Sequence, residues 1–594
     1  MGAVKKQQNQ PGIARWRFAL VAALLCLLAL ALIFHLARLQ VLPEAERGYR
    51  FLQDQGRART IRTEEIPAYR GAILDRNGEL LAVSTPVHSL WANPQLLREA
   101  SAKQLRKLAA ALDMNPANLA KRLEKYRNKE FMYLRRHLSP EQAGRVLDLQ
   151  LTGVYSRKEY RRFYPAGEVV AQLVGFTDID DRGQEGLELA YEDWLSGQPG
   201  AQQVIKDLKG RTVQDLATKR EARPGRDLRL SIDMRLQYLA YRELKKAVAE
   251  NDAASGFMVI LDTRSGDVLA MANQPSFNPN NRSGVKAAAT RNRALIDQFE
   301  PGSTVKPLTA LAALETGRYQ PHTPVDTSPG YIRVPGKTLV DPVNYGRLDL
   351  TGVITKSSQV GITKIALDLE PNALRELFYR LGLGEAVGTG FPGEAAGILP
   401  SRSRWHPIER ANFAFGYGLT VNGLQLAQAY SVLANAGLKR PVSLVLSGEK
   451  LAVEPERVVD GELAKQVTAM LETVIGAHGT GKRAAVEGYR VAGKTGTVHK
   501  VGTDGYADNR YRSVFAGFIP ADNPRLAAVV VIDDPRHAKY YGGEVAAPVF
   551  GSVMAGAMRL LRVPPAELAP AAQQLARSLP AGQAPVANER GSKS

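Results

Sequence analysis

The strongest constraint on the fold of this chain comes from two short motifs that lie about 190 residues apart. Ser303 and Lys306 stand three residues apart at a predicted helix start, which places a hydroxyl and an amine one turn apart on one face. An amine that burial keeps neutral can take the proton of the hydroxyl, and this makes a serine nucleophilic without histidine. The second motif, Lys-Thr-Gly-Thr at residues 494–497, predicts a strand that offers a cation, hydroxyls and backbone N–H groups. Together the motifs indicate a serine acyltransferase with a covalent intermediate.

Serine and lysine occur at this spacing three times, at Ser283/Lys286, Ser303/Lys306 and Ser447/Lys450. Only Ser303 precedes apolar residues at helical spacing, which run from Val305 to Leu314 and stop before Gly317. Pro307 is tolerated only in the first turn of a helix, so the helix must begin near Ser303. The hydroxyl then lies at the positive end of the helix dipole, which favours a reaction that develops an oxyanion. We interpret the other two pairs as polar residues of surface loops.

An unbroken apolar run of 17 residues, 18–34, predicts a membrane helix over residues 18–37. About 20 helical residues are enough to cross the core of a bilayer. The preceding residues 1–17 contain four basic residues and no acid, so the positive-inside rule predicts a cytoplasmic tail and places the rest of the chain across the membrane. A cleaved signal peptide is the alternative, but the run is long and no Ala-x-Ala site follows it.

The formal net charge of +19 could indicate a nucleic-acid partner. The basic residues are scattered, however, and a domain outside the membrane meets no DNA, so we predict no nucleic acid. A solvated surface that faces anionic lipid or wall polymer explains the charge better. The single cysteine, Cys26, falls inside the predicted anchor, which excludes structural disulfides. The eight histidines show no metal-binding pattern, and we predict neither a metal nor another cofactor.

A chain of 594 residues is too long for one domain. A Pro-Gly boundary separates a first domain, residues 38–225, from a second, residues 226–562. In the first, residues 70–82 predict two short strands about an Asn-Gly turn, and residues 96–150 show helical spacing. In the second, strands and helices alternate, and short hairpin-like connections predict an antiparallel sheet. Residues 563–594 are rich in Ala, Pro, Gln and Ser and are predicted to be disordered.

A rival motif covers the same lysine. Residues 488–495 match the phosphate-loop pattern G-x-x-x-x-G-K-[ST], and an apolar stretch ends at Asp533 as a magnesium-binding strand would. A nucleotide hydrolase is therefore a second hypothesis. A phosphate loop must lead from a strand into a helix with free N–H groups, whereas the residues after Thr495 continue as strand and turn. We therefore favour the strand.

Three motifs follow one another along the chain: Ser303-x-x-Lys306, Ser357-Ser358-Gln359, and Lys-Thr-Gly from residue 494. This set resembles the penicillin-binding proteins and serine β-lactamases, whose signature is S-x-x-K, S-x-N and K-T-G. Residues 70–82 resemble the opening motif of the non-catalytic domain of class B penicillin-binding proteins, and residues 415–427 and 540–543 resemble the septal, division-specific branch. The resemblance implies a membrane-anchored α+β protein. It would have an elongated pedestal or dimerisation-like domain and a transpeptidase domain with a helix-flanked antiparallel sheet, as in serine β-lactamases.

The family's mechanism implies that Ser303 attacks the penultimate D-alanine carbonyl of a peptidoglycan stem pentapeptide, and that an amine of a neighbouring peptide resolves the acyl-enzyme. Lys306 would be the base, and Ser357 would pass the proton to the leaving amine. Backbone N–H groups of Ser303 and Thr497 would form the oxyanion hole, at about 3–4 kcal/mol per donor. The resemblance also assigns a set of substrate-binding residues: Gln359, Lys494, Thr495, Gly496, Thr497 and Tyr541.

One residue departs from the family pattern. Gln359 occupies the place of an asparagine whose amide holds the acyl-side chain of the substrate. Glutamine keeps both hydrogen-bonding groups but projects them one methylene further, and a shift of about 1 Å can cost about 100-fold in rate. We therefore expect that the way in which the substrate is positioned at residue 359 differs from that in the family.

The family also implies a location and partners. The protein would cross the bacterial inner membrane once, with a periplasmic catalytic domain that β-lactams inhibit. Its partners would be stem pentapeptides, a membrane glycan polymerase and other division proteins. A β-lactamase and a penicillin-sensing receptor are the alternatives within the family. The anchor and the length of the chain argue against the first, since a β-lactamase is shorter and soluble.

Overall fold

The computed structural model describes residues 15–40, 50–51, 54, 56, 61–206, 212–446, 454–502, 505–537 and 539–565. The Ser447/Lys450 pair, residues 1–14, and residues 566–594 of the predicted tail lie outside this part of the chain. Helix α1, Arg15–Gln40, has 26 residues and is about 39 Å long at 1.5 Å per residue. Its length and composition suit a single membrane crossing, in agreement with the anchor predicted over residues 18–37.

The chain forms two compact units, and neither is continuous in sequence. The first contains Met1–Ala68, Pro86–Tyr160 and Gln198–Arg223, and the second contains Tyr69–Thr85, Arg161–Gly197 and Pro224–Ser594. The chain passes from the first unit into the second for the last time between Arg223 and Pro224, close to the boundary predicted after residue 225. Tyr69–Thr85 and Arg161–Gly197 precede this boundary but belong to the second unit. Their buried side chains, such as Leu81 and Leu187, share its hydrophobic core.

In the first unit, a three-stranded antiparallel sheet consists of Ile61–Ile66, Gly200–Lys206 and Thr212–Arg220. Besides α1, the described helices of this unit include Pro94–Leu97, Ala102–Ala111, Pro116–Lys125 and Pro140–Leu147. Strand Met132–Leu138 lies among them, so the prediction of helix throughout residues 96–150 is wrong there. Met132, Leu134 and Leu138 are buried at even positions, a period of two that places them on one face of a strand.

One sheet of the second unit has five antiparallel strands in the order β2-β1-β5-β4-β3. The strands are β1 Ser255–Asp262, β2 Val268–Gln274, β3 Ala492–Gly502, β4 Gly505–Ile519 and β5 Leu526–Asp533. The predicted antiparallel sheet is thus confirmed, and β3 is one of its two edges. A smaller hairpin, Tyr331–Val334 with Lys337–Val340, lies outside this sheet.

Helices cover both faces of this sheet. The described helices of seven or more residues in this unit are α2 Met234–Glu250, α3 Lys306–Glu315, α4 Leu350–Lys356, α5 Gln359–Asp368, α6 Ala373–Arg380, α7 Pro407–Ala414, α8 Gly423–Ala434, α9 Gly461–Thr473 and α10 Gly542–Leu560. Of these, α2, α8 and α10 pack directly on the central strands of the sheet. Successive residues of β1 enter different cores: Val259 joins the core of α3 and α8, and Ile260 joins that of α2 and α10. All eight residues of β1 are therefore buried, as expected for a strand between two helical layers.

The N-terminal part of the second unit carries the hairpin predicted in residues 70–82. Ile73–Leu74 pairs antiparallel with the start of the strand Leu80–Ala92. The carboxylate of Asp75 accepts the backbone N–H groups of Asn77 and Glu79 at 2.7 and 2.9 Å, which closes the turn. Nearby in sequence, the guanidinium of Arg70 donates to the buried carboxylate of Glu188 at 2.8 Å.

Candidate active site

The turn that carries Ser303 is a 3₁₀ segment, Gly302–Val305, which leads directly into α3. Gly302 has φ +57°, and a Cβ there would come within 2.5 Å of the Val498 side chain, so both backbone and packing require glycine. Below this turn the buried Tyr430 hydroxyl donates to the Thr304 carbonyl at 2.7 Å. The helix start predicted from Pro307 is therefore present, and its first turn is tightened and held from the core.

The side chains of Lys306, Ser357 and Lys494 form one hydrogen-bonded group. Lys306 Nζ donates to the Ser357 carbonyl at 2.5 Å and lies 3.3 Å from Ser357 Oγ. Lys494 Nζ donates to Ser357 Oγ at 2.9 Å. Ser357 connects α4 and α5 with φ +57°, a left-handed conformation that is uncommon for serine and that clusters at functional sites. Two amines thus converge on one hydroxyl.

Burial dominates the charge state of both lysines, which are almost inaccessible to solvent. It lowers the pKa of Lys306 to about 7, and the carboxylate of Asp341 has a smaller, upward effect. Burial also lowers the pKa of Lys494 well below its usual value, and the nearby Lys306 charge lowers it further. At neutral pH a large fraction of Lys306 is therefore a free amine, which a general base requires.

A cleft of about 550 Å³ is lined by Ser303 and Lys306, whereas Ser357 and Lys494 lie behind its walls. Among the predicted site residues, its walls include Ser303, Lys306, Gln359, Thr497 and Tyr541. No hydrogen bond to the Ser303 hydroxyl occurs within the described part of the chain, so the hydroxyl is free to reach a ligand in the cleft. Tyr541 is more than half exposed, and its ring stacks on Tyr540 at a centroid distance of 4.5 Å.

Residues 494–497 lie in β3, at the edge of the sheet. Thr495 and Thr497 are two residues apart and therefore share one face of the strand. The Thr497 hydroxyl accepts the backbone N–H of Gly542 at 3.0 Å, which leaves its own proton for a ligand. Gly496 packs against the nucleophile turn, where a Cβ would come within 3.0 Å of Thr304 Cγ2. An edge strand also leaves alternate N–H groups unpaired within the sheet, which an oxyanion hole requires.

The rival motifs do not form the local structures that their proposed functions require. Ser283 and Lys286 are exposed and belong to a loop. The phosphate-loop match fails, because Lys494 and Thr495 lie inside strand β3 and not at the start of a helix. In the part of the chain that the structure describes, there is no group of three metal-ligating side chains.

Asp341 is a site residue that the sequence analysis missed. Its carboxylate accepts the Ser358 hydroxyl and the Gln359 N–H, both at 2.5 Å, and the Val360 N–H at 3.2 Å. It therefore fixes the first turn of α5, next to Ser357. Its negative charge also raises the pKa of the Lys306 amine. The local Asp-Pro sequence reads as a turn, and nothing in it indicates a contact 18 residues away.

Replacement of Asp341 by asparagine should have two separable effects on acylation. The amide has one acceptor oxygen in place of two, so a buried donor loses its partner at a cost of about 1–3 kcal/mol, and the plateau rate and the melting temperature should fall. Loss of the negative charge removes the upward effect on the pKa of Lys306, so the rising limb of the pH profile should move to lower pH. Stopped-flow acylation across pH measures both. Asp326→Asn, at an exposed carboxylate that accepts the Ser328 N–H, is the matched control.

Gln359 is the first residue of α5 and lines the cleft. Within the described residues its side-chain amide makes no hydrogen bond, so both amide groups are available to a ligand. If the amide contacts substrate, Gln359→Leu should slow second-order acylation at least several-fold, since a lost hydrogen bond typically costs about 0.5–1.5 kcal/mol, at an unchanged melting temperature. Gln359→Asn tests the extra methylene: a faster enzyme would mark glutamine as a tolerated defect. Wild-type rates in the leucine variant would remove Gln359 from the site.

Comparison with known proteins agrees with this geometry. Residues 256–555 match the model of the penicillin-binding protein transpeptidase domain, and residues 65–230 match that of the penicillin-binding protein dimerisation domain. The chain is 44% identical over 553 residues to the probable peptidoglycan D,D-transpeptidase PbpC of Pseudomonas aeruginosa, covering 93% of this chain and 96% of that one. It is 43% identical over 565 residues to the peptidoglycan D,D-transpeptidase FtsI of Escherichia coli, covering 94% of each chain.

Solved structures show the same fold. The transpeptidase domain of Burkholderia pseudomallei penicillin-binding protein 3 superposes with a TM-score of 0.52 at 39% identity, covering 57% of this chain and 97% of that one. A peptidoglycan synthetase from Bifidobacterium adolescentis superposes with a TM-score of 0.67 at 27% identity, covering 85% of this chain and 98% of that one. The protein belongs to the penicillin-binding proteins. Within that family it is a class B member, with a dimerisation domain before the transpeptidase domain, and the predicted class is confirmed.

Proposed function

We propose that this protein is a peptidoglycan D,D-transpeptidase that cross-links stem peptides at the division septum through an acyl-enzyme at Ser303. Ser303 Oγ attacks the carbonyl of the penultimate D-alanine, and the bond to the terminal D-alanine breaks. An amine of a neighbouring stem peptide then attacks the ester and releases the serine, so a new amide replaces the old one. β-Lactams enter the same cleft and acylate the same serine.

The buried amines perform the proton transfers in this proposal. Lys306, with its pKa lowered to about 7, takes the proton of Ser303 as the carbon–oxygen bond forms. Ser357 passes a proton to the leaving amine of D-alanine, and its Oγ, 3.3 Å from Lys306 Nζ and 2.9 Å from Lys494 Nζ, supports this role. The reverse transfers activate the attacking amine in the second half of the reaction.

The edge of the sheet holds the substrate. Lys494, Thr495 and Thr497 bind the terminal carboxylate, with Gly496 allowing β3 to approach the nucleophile turn. Backbone N–H groups of Ser303 and Thr497 stabilise the oxyanion, and one such donor contributes about 3–4 kcal/mol in comparable enzymes. Gln359 and Tyr541, on other walls of the cleft, contact the rest of the stem peptide.

The observation that carries the proposal is the convergence of two buried amines on Ser357 beside a cleft that contains the free Ser303 hydroxyl. The test incubates the full chain in detergent with a fluorescent penicillin, and then with lipid-linked stem pentapeptide and a glycan polymerase. We expect stable labelling, release of D-alanine and cross-linked product. Labelling without cross-linking would favour a penicillin-sensing receptor, and rapid turnover of penicillin would favour a β-lactamase.

We extend the proposal to the cellular setting of the protein. The residues before α1 lie in the cytoplasm and the catalytic unit lies in the periplasm of the inner membrane, with the glycan polymerase and other division proteins as partners. Support comes from the basic residues before the anchor and from the 43% identity to FtsI of Escherichia coli. A fluorescent fusion should concentrate at the division site, and depletion should produce filaments. Rod-shape loss without filaments would assign the protein to elongation.

A further inference from the structure

Thr480 is an exposed residue that follows α9 and lies outside every motif discussed above. Its Oγ1 lies 2.7 Å from Oγ1 of Thr495, a buried threonine of β3. Lys494 Nζ approaches the same Thr495 oxygen at 3.5 Å. The hydroxyl of Thr480 therefore ends a chain of polar groups that begins at Lys306 and runs through Ser357, Lys494 and Thr495.

The direction of the hydrogen bond between Thr480 and Thr495 decides whether Thr495 can still donate to a ligand. A threonine hydroxyl has one proton to donate and two lone pairs to accept with. If Thr495 donated to Thr480, no proton would remain for an anion. The amine of Lys494 also approaches the Thr495 oxygen, at 3.5 Å, and its N–H groups favour the use of that oxygen as an acceptor. Thr480 is exposed, so water satisfies its own lone pairs.

Thr497 shows the same arrangement with no ambiguity. It shares the face of β3 with Thr495, and its oxygen accepts from a backbone N–H, that of Gly542, which can only donate. The neighbouring Gly543 fixes the second contact, because a Cβ there would come within 2.2 Å of the Thr480 carbonyl and 3.5 Å of Thr495 Cγ2. Each of the two threonines thus has a hydrogen-bonding partner from another segment at its hydroxyl oxygen.

We propose that Thr480 is a further positioning residue of this site: its hydroxyl donates to Thr495 and thereby reserves the Thr495 proton for the terminal carboxylate of the substrate. The inference rests on the proposed function and adds a residue outside the three motifs to it. Thr480 does not touch the substrate and acts through Thr495. Its removal weakens recognition of a carboxylate and leaves the nucleophile and base unchanged.

The test measures second-order acylation of the full chain by benzylpenicillin and by its methyl ester, which lacks the carboxylate. Thr480→Val should slow acylation by benzylpenicillin about three- to ten-fold, the effect of one lost hydrogen bond, and should leave the ester rate within about two-fold. Thr480→Ser should restore the benzylpenicillin rate. In a Thr495→Val background, Thr480→Val should have no further effect, because the group it positions is gone.

Thr316→Val is the matched control, since Thr316 is also exposed and its hydroxyl donates to a backbone carbonyl, that of Ala313, at 2.7 Å. Three results would each overturn the inference: wild-type benzylpenicillin rates in Thr480→Val, equal slowing of the ester, or additive effects of the two substitutions. All three presuppose that the wild-type protein forms a penicillin adduct. A wild type without any adduct would instead refute the proposed function.

Discussion

Ser303→Ala is expected to eliminate the covalent penicillin adduct. Loss of the nucleophile of a serine enzyme costs about 10⁶-fold in rate, which places acylation below detection. The melting temperature should remain close to that of the wild type, because within the described residues the Ser303 hydroxyl makes no hydrogen bond that the substitution would remove. Intact-mass measurement after β-lactam exposure should show one adduct on the wild type, on the peptide that contains Ser303, and none on the variant.

Ser283→Ala is the matched control, since Ser283 has the same spacing to a lysine but lies exposed in a loop. We expect its adduct to form at the wild-type rate. An adduct that persists in Ser303→Ala, or that maps to Ser283 or Ser447, would contradict the assignment of the nucleophile.

Lys306→Arg should retain the fold and lose acylation by several orders of magnitude. Arginine keeps the positive charge but cannot release its proton near neutral pH, so no base remains beside Ser303. In the wild type, the acylation rate should rise with pH through about 7 and then level off, because the amine is protonated and inactive below its pKa of about 7. Stopped-flow acylation between pH 5 and 9 would show this limb in the wild type and its absence in the variant.

The exposed Lys286 provides the control, as Lys286→Arg should leave both the rate and its pH profile unchanged. Near-normal acylation by Lys306→Arg at neutral pH would assign the base to another group, with Lys494 as the first candidate, since its amine also contacts Ser357.

Local features of the sequence were enough to predict the elements that carry the reactive groups. Pro307 and the apolar residues after it placed the helix start near Ser303, because a proline is accepted only in the first turn. Short connections predicted antiparallel pairing of β1 with β2 and of β4 with β5, as observed. The strand Met132–Leu138 was missed, because a few leucines match a helical period and a strand period equally well.

Local sequence patterns could not identify site residues that lie far along the chain from the motifs. Asp341 and Thr480 carry no motif, and each becomes part of the site only because the fold brings it to Gln359 or Thr495. The segments 69–85 and 161–197 lie within the predicted first domain in sequence but bury side chains in the core of the second unit, and sequence order does not show which core a buried side chain joins.

The order of the three motifs, the anchor and the start of α3 are properties of the sequence, since they depend on residues within one or two turns of each other. The charge state of Lys306 is a property of the tertiary structure. Its pKa falls to about 7 because distant segments exclude water from the amine, and no local sequence pattern reports that exclusion. The sequence therefore determined which groups can react, and the packing of α3, α4 and β3 decided that they react together.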